Sequence, residues 1–125
     1  MVDHPPDILI AVVDDDPRIL ESLETLLESA GYAVCVFSSA TALLETARLD
    51  EIDCVISDIN MPTIDGLELS RLLRAARPGL PIILITGHPE ILNRSLVATS
   101  YYRLFTKPYD PDALVAAIGD MVRKH

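Results

Sequence analysis

Apolar residues in this chain follow two rhythms. Continuous blocks stand at Ile8-Leu9-Ile10-Ala11-Val12-Val13, at "YAVCVF" (Tyr32–Phe37), at "DCVIS" (Asp53–Ser57) and at "LPIILIT" (Leu80–Thr86). These blocks are rich in β-branched residues and bounded by turn formers. They predict strands, and the continuous ones predict strands buried on both faces. A shorter block, "YYRLF" (Tyr101–Phe105), predicts a fifth. Between the blocks, apolar residues recur at helical intervals. Leu20, Leu23, Leu27 and Ala30 predict a helix that Asp16 caps, Pro17 begins and Gly31 closes. Ser39 opens a short helix to roughly Arg48, and Leu67–Ala76 predicts another, ended before Pro78-Gly79. Glu90–Ala98 carries a weak helical pattern. Pro111–Arg123 is amphipathic, with Leu114, Val115, Ile118 and Val122 on one face.

Strand and helix thus alternate five times, with no internal repeat and no linker. Parallel strands need helical crossovers, so the pattern predicts an α/β sheet covered on both faces. Right-handed crossovers leave few topologies. The expected one is a flavodoxin-like (βα)5 doubly wound parallel sheet with strand order 2-1-3-4-5. In such sheets ligands bind outside the carboxyl ends of the strands, where the order reverses between strands one and three.

The polar residues at those ends are the candidate chemistry. Asp14 and Asp15 follow the first strand directly, and Asp58 follows the third. In the expected order these strands are neighbours, about 5 Å apart. Three carboxylates would converge there and repel one another by several kcal/mol, so the cluster calls for a cation. All-oxygen ligands favour a hard ion, and Mg²⁺ suits a site with few carboxylates and several waters. Thr86 ends the fourth strand with a hydroxyl, and Lys107 follows the fifth with a positive charge. A metal and Lys107 together would bind a tetrahedral phosphoryl group beside Asp58, with the Thr86 hydroxyl on one of its oxygens. That gives Asp58 the role of nucleophile. Taken singly, each residue has a plainer reading as a cap, a loop lysine or a turn residue. Their alignment at four strand ends favours the joint one.

Composition narrows the partners. The 125 residues, half of them hydrophobic, suffice for one domain with a full core. Net charge is −9, which argues against bare nucleic acid and anionic membrane as direct partners of this domain. The two cysteines, Cys35 and Cys54, sit inside apolar runs. We expect buried free thiols in a reducing cytoplasm. The stretch "MVDHPPD" has neither the basic nor the apolar region of a secretory signal, and no apolar run is long enough to span a bilayer.

The ordered motifs "VVDDDP", "ISDINMPTIDG", "ILITGH" and "FTKPY" resemble the receiver domain of bacterial two-component response regulators. The resemblance runs from about Ile8 to Arg123, and we read residues 1–125 as a single receiver domain. It implies that Asp58 is the phospho-acceptor. Asp14 and Asp15 are implied to be the acidic pair that holds Mg²⁺ (or Mn²⁺), Asp15 the more direct ligand, with Asp58 and the backbone carbonyl of Asn60 completing the protein's ligands. Thr86 is implied to be the switch hydroxyl and Lys107 the phosphate-binding lysine. The Lys107–Pro108 bond is often cis in such domains, and Met61-Pro62 and Gly66 shape the loop after the acceptor. Asn60 and His88 occupy the positions that tune the lifetime of the phosphoryl group.

The resemblance also implies partners: a sensor histidine kinase or phosphotransfer protein as donor, and an output domain or downstream protein as receiver of the signal. "ITGH" leans toward transcriptional regulators with a helix-turn-helix output. A homodimer through the fourth helix, fifth strand and fifth helix is a further implication. Such a domain transfers a phosphoryl group to itself and slowly loses it, and is not otherwise an enzyme. Departures fall on that same signalling face. Leu104 stands where the family places its switch aromatic, "TSYY" replaces a small-residue pair, and the Thr86-to-Lys107 segment is one residue short. They motivate an alternative, a phosphorylation-independent pseudo-receiver acting as a protein-interaction module. A haloacid-dehalogenase-like phosphatase is disfavoured because the first strand ends in Asp14-Asp15 rather than a D-x-D pair. Nucleotide binding lacks both G-x-G-x-x-G and a Walker loop.

Overall fold

All residues of β1 (Leu9–Val13), β3 (Cys54–Asp58) and β4 (Ile82–Thr86) are buried, as the continuous apolar blocks require. A computed structural model, in which residues 8–87 and 102–123 are described, adds β2 (Ala33–Phe37) and β5 (Tyr102–Thr106). The five strands pair in parallel in the order β2-β1-β3-β4-β5, the topology expected from the sequence. Helices α1 (Pro17–Ser29), α2 (Ala40–Leu44), α3 (Gly66–Ala76) and a C-terminal helix (Pro111–Arg123) connect and cover them.

The side-chain alternation of the strands divides the core into two layers. Leu9, Ala11, Val13 and Val55 point to one face and pack with Leu43 of α2 and Leu69 and Leu73 of α3. Ile10, Val12, Ile56, Ile83 and Ile85 point to the other and pack with Leu20, Leu23 and Leu27 of α1 and with Leu114 and Ile118 of the C-terminal helix. Each fully buried Leu or Ile contributes about 1.5–3 kcal/mol relative to exposure. Deleting a central one, such as Leu73 with no exposed surface, would open a cavity shared by a helix and the sheet.

Helix starts follow the capping chemistry. The Asp16 carboxylate accepts the Arg18 N–H with Pro17 next to it, and the Ser39 hydroxyl accepts the Ala42 N–H at 3.1 Å. Asp65 caps α3 by accepting the Glu68 N–H at 2.9 Å. Gly31 follows α1 at φ 100, the left-handed turn that glycine makes without strain.

Several expected boundaries move. The second helix ends at Leu44, well short of Arg48. Beyond Leu44 no apolar stripe continues, the Thr46 hydroxyl takes the Arg48 N–H, and a 3-10 turn at Leu49–Glu51 delivers Ile52 to the core. Ala30 is exposed at the C-cap of α1 instead of extending its buried face. Asp58 is the last residue of β3 and does not follow it. Strand ends shift by one or two residues elsewhere: β2 starts at Ala33, β4 at Ile82, and β5 runs from Tyr102 to Thr106. Cys54 is buried, Cys35 is only partly so, and both are free thiols. The weak helix expected over Glu90–Ala98 lies outside the described residues.

Candidate phospho-acceptor site

Register brings the acidic residues level. Val13 pairs with Ser57, so Asp14 and Asp58 are the next residues up on adjacent strands. Asp58 pairs in turn with Ile85, and Thr86 with Thr106, which places Lys107 one step beyond. The Lys107 N–H donates to the Thr86 carbonyl at 2.8 Å, and the Lys107–Pro108 bond is cis. Each of these residues therefore stands at the carboxyl edge because a strand of the parallel sheet puts it there.

Carboxylate oxygens of Asp14, Asp15 and Asp58 lie within 4.8 Å of one another. Asp14 and Asp58 are buried, and Asp15 is exposed. The Asp14 carboxylate accepts the Asp16 N–H at 2.9 Å. Burial pushes its pKa from 3.8 up to about 6, with the charges of Asp58 and Asp15 adding to the rise and Asp16 and Lys107 opposing it. Asp58 is also raised, first by burial and then by Asp15, against the pull of Lys107 and of the Asn60 N–H. Lys107 Nζ stands 3.6 Å from Asp58 Oδ1, an ion-pair separation. That oxygen is buried and has no hydrogen-bond partner within the described structure.

These observations fit a divalent cation. Three hard oxygen donors share one small volume, two of them are driven toward protonation first by burial, and one buried oxygen is left for a ligand.

The remaining expected residues divide. Asn60 is exposed in the loop after β3, with its N–H directed to the Asp58 carboxylate. Thr86 is fully buried at the end of β4. Leu104, paired with Leu84 on β5, is 42% exposed, so the position of the family's switch aromatic carries a bare aliphatic surface. His88 lies outside the described residues. Three features escaped the sequence reading. The Ser57 hydroxyl, wholly buried, donates to the Asp58 carbonyl at 2.9 Å. Thr63 adopts φ 69 in the loop after Asp58. Tyr109 stacks edge-on against Phe105 with centroids 6.3 Å apart, and its hydroxyl pKa is raised by burial and by the charge of Asp14. Only Tyr109, an aromatic just past "TKP", left a trace in the sequence.

A 2-1-3-4-5 sheet with an acidic pocket at its carboxyl edge and a lysine paired to the central aspartate defines the receiver class of signalling domain. The response regulator receiver domain family matches residues 10–119, and the chain belongs to that family of two-component systems. It is 35% identical over 116 residues to the transcriptional regulatory protein FixJ of Bradyrhizobium diazoefficiens, covering 92% of this chain and 57% of FixJ. It is 37% identical over 123 residues to the transcriptional regulatory protein GlrR of Escherichia coli, covering 97% of this chain and 27% of GlrR. The chain therefore spans about half or less of these regulators. Among solved structures, a response regulator receiver domain protein from Clostridium thermocellum superposes with a TM-score of 0.85 at 30% identity, over 94% of this chain and 95% of that one. No helix among the described residues is long and apolar enough to cross a membrane.

Proposed function

We propose that this receiver domain is a phosphorylation switch in which Asp58 accepts a phosphoryl group from a histidine kinase or phosphotransfer protein. The carrying observation is the ion pair of Lys107 with a buried, otherwise unpartnered Asp58 oxygen, inside a cluster of three carboxylates. Asp14, Asp15, Asp58 and the Asn60 carbonyl would hold Mg²⁺, with Mn²⁺ as a substitute. When bound, the ion offsets negative charge that builds on the phosphoryl oxygens.

The chain's own residues do the rest. A carboxylate oxygen of Asp58 attacks phosphorus in line. An O–P bond forms as the N–P bond of the donor breaks, and that electron pair returns to the donor imidazole. Lys107 meets the transferred oxygens with its ammonium, pre-placed and needing little reorganisation. Thr86 offers its hydroxyl to one of them. The acyl phosphate adds about −2 charge where Lys107 had one carboxylate to neutralise. Thr86 and Lys107 then reorient toward it, and the change spreads along β5 and the C-terminal helix to an output domain or downstream protein. The group is later lost to water at a rate set around Asn60 and His88. The domain acts on itself only, in the cytoplasm, and turns over no other substrate.

One observation favours a second reading. Leu104 exposes an aliphatic surface where a mobile aromatic would couple site to output. A module that binds partners through this face without phosphorylation would keep the fold and lose the chemistry. The experiment is labelling by acetyl phosphate or a phosphorylated kinase in Mg²⁺. The unmodified chain takes up label and Asp58→Asn does not. Equal labelling of both would remove Asp58 from the acceptor role.

A further inference from the structure

We propose that Ser57 and Gly66 are positioning residues that hold the Asp58 peptide at its carbonyl and so set where its carboxylate stands; this rests on the acceptor role given above. From within the strand, the Ser57 hydroxyl donates to the Asp58 carbonyl at 2.9 Å in a wholly buried position. From the helix side, α3 begins with Gly66 directly on the same peptide. A Cβ at Gly66 would lie 2.8 Å from Ile59 Cα and 3.0 Å from the Asp58 carbonyl carbon, and closer still to the Asp58 carbonyl oxygen. The Gly66 N–H donates to the Ile59 carbonyl at 2.9 Å, locking the contact.

Neither side can withdraw freely. The start of α3 is held by its Asp65 cap and by Leu69 and Leu73, which are 1% and 0% exposed. The strand is held by β1 and β4, including the Ile59 N–H to the Ile85 carbonyl at 2.9 Å. A methyl group at residue 66 therefore drives the Asp58–Ile59 peptide out of line by about half an ångström, and displacements of this size are felt steeply when reacting atoms must align. Loss of the Ser57 hydroxyl removes the hydrogen bond to that same carbonyl.

The test measures acetyl phosphate labelling rates in saturating Mg²⁺, and Mg²⁺ affinity by calorimetry without a phosphodonor. Gly31→Ala is the control for lost stability: its φ of 100 strains alanine, and nothing lies within 4 Å of the added carbon, far from the site. Gly66→Ala slows labelling by about 10–100-fold and weakens Mg²⁺ binding. Ser57→Ala slows it by about 3–10-fold, and Ser57→Thr recovers part of the loss. Gly31→Ala melts at lower temperature yet labels at the unmodified rate. If Gly66→Ala does not fold, Ser57→Ala with its threonine rescue carries the test. Labelling and Mg²⁺ affinity within about twofold of the unmodified chain in the folded variants would overturn the positioning role and leave the acceptor role standing. An unmodified chain that takes no label overturns both.

Discussion

Lys107 Nζ lies 3.6 Å from Asp58 Oδ1, too far for a hydrogen bond and close enough for strong attraction. The lysine comes from the end of β5 and the aspartate from the end of β3, with β4 between them.

Replacing Lys107 by alanine removes the charge paired with Asp58. Labelling of Asp58 is expected to slow by about 10²-fold. Lys107 also holds the Asp58 pKa down against burial, so its loss lifts that pKa further. The acid limb of the labelling rate then moves to higher pH. Rates of acetyl phosphate labelling across a pH series measure both effects.

Asp14 makes metal-free stability fall as pH rises. Its folded pKa of about 6 exceeds the ordinary 3.8, so between these values the folded chain binds the extra proton. Unfolding releases that proton, and stability contributed by the protonated form is lost as pH passes through about 6. Asp14→Asn keeps an oxygen for the Asp16 N–H and removes the charge. In chelator at pH 7 it should be more stable than the unmodified chain by on the order of 1–3 kcal/mol, with the difference vanishing near pH 4. Urea unfolding at the two pH values checks this.

Magnesium is expected to reverse that penalty. A ligand bound only by the folded state adds about 2.7 kcal/mol at a hundred times its dissociation constant. The melting temperature is therefore expected to rise by several degrees with millimolar Mg²⁺ and to return on adding chelator. Asp15→Asn, on the exposed member of the cluster, should abolish most of the rise while changing metal-free melting little. Thermal melts with and without the ion decide it.

The fold was legible because its signals are local. Ile8–Val13 and Leu80–Thr86 could only be strands covered on both faces, and β1 and β4 are buried along their whole length. Asp14, Asp15, Asp58 and Lys107 were legible for the same reason: each sits at or beside the end of an apolar run, and topology did the rest. What the sequence hid depends on approach in space. Gly66 looks like one more loop glycine until α3 is placed on the Asp58 carbonyl. Arg77 carries no signal in the sequence, yet its guanidinium donates to the carbonyls of Leu49 and Ile52 and fixes the 3-10 turn at Leu49–Glu51. Asp53 reads as the first residue of a strand, whereas its carboxylate takes the Leu9 N–H at 2.9 Å and ties β1 to the entry of β3.

Thr63 holds φ 69, a region that β-branched side chains rarely enter, in the loop that follows Asp58. Its side chain is exposed and does not offset the strain by burial. Thr63→Asn should stabilise the chain by about 0.5–1 kcal/mol, because asparagine tolerates this conformation. Thr63→Val should give no gain. A shift in the urea midpoint at constant slope measures the change.

Site mapping of the modified chain is the most direct test of the acceptor role. After incubation with acetyl phosphate and Mg²⁺, peptide mass spectrometry should find one alkali-labile phosphoryl group on the peptide containing Asp58, absent when the ion is chelated. A chain that stays unmodified, or that carries the group on another residue while Asp58 is free, would contradict it.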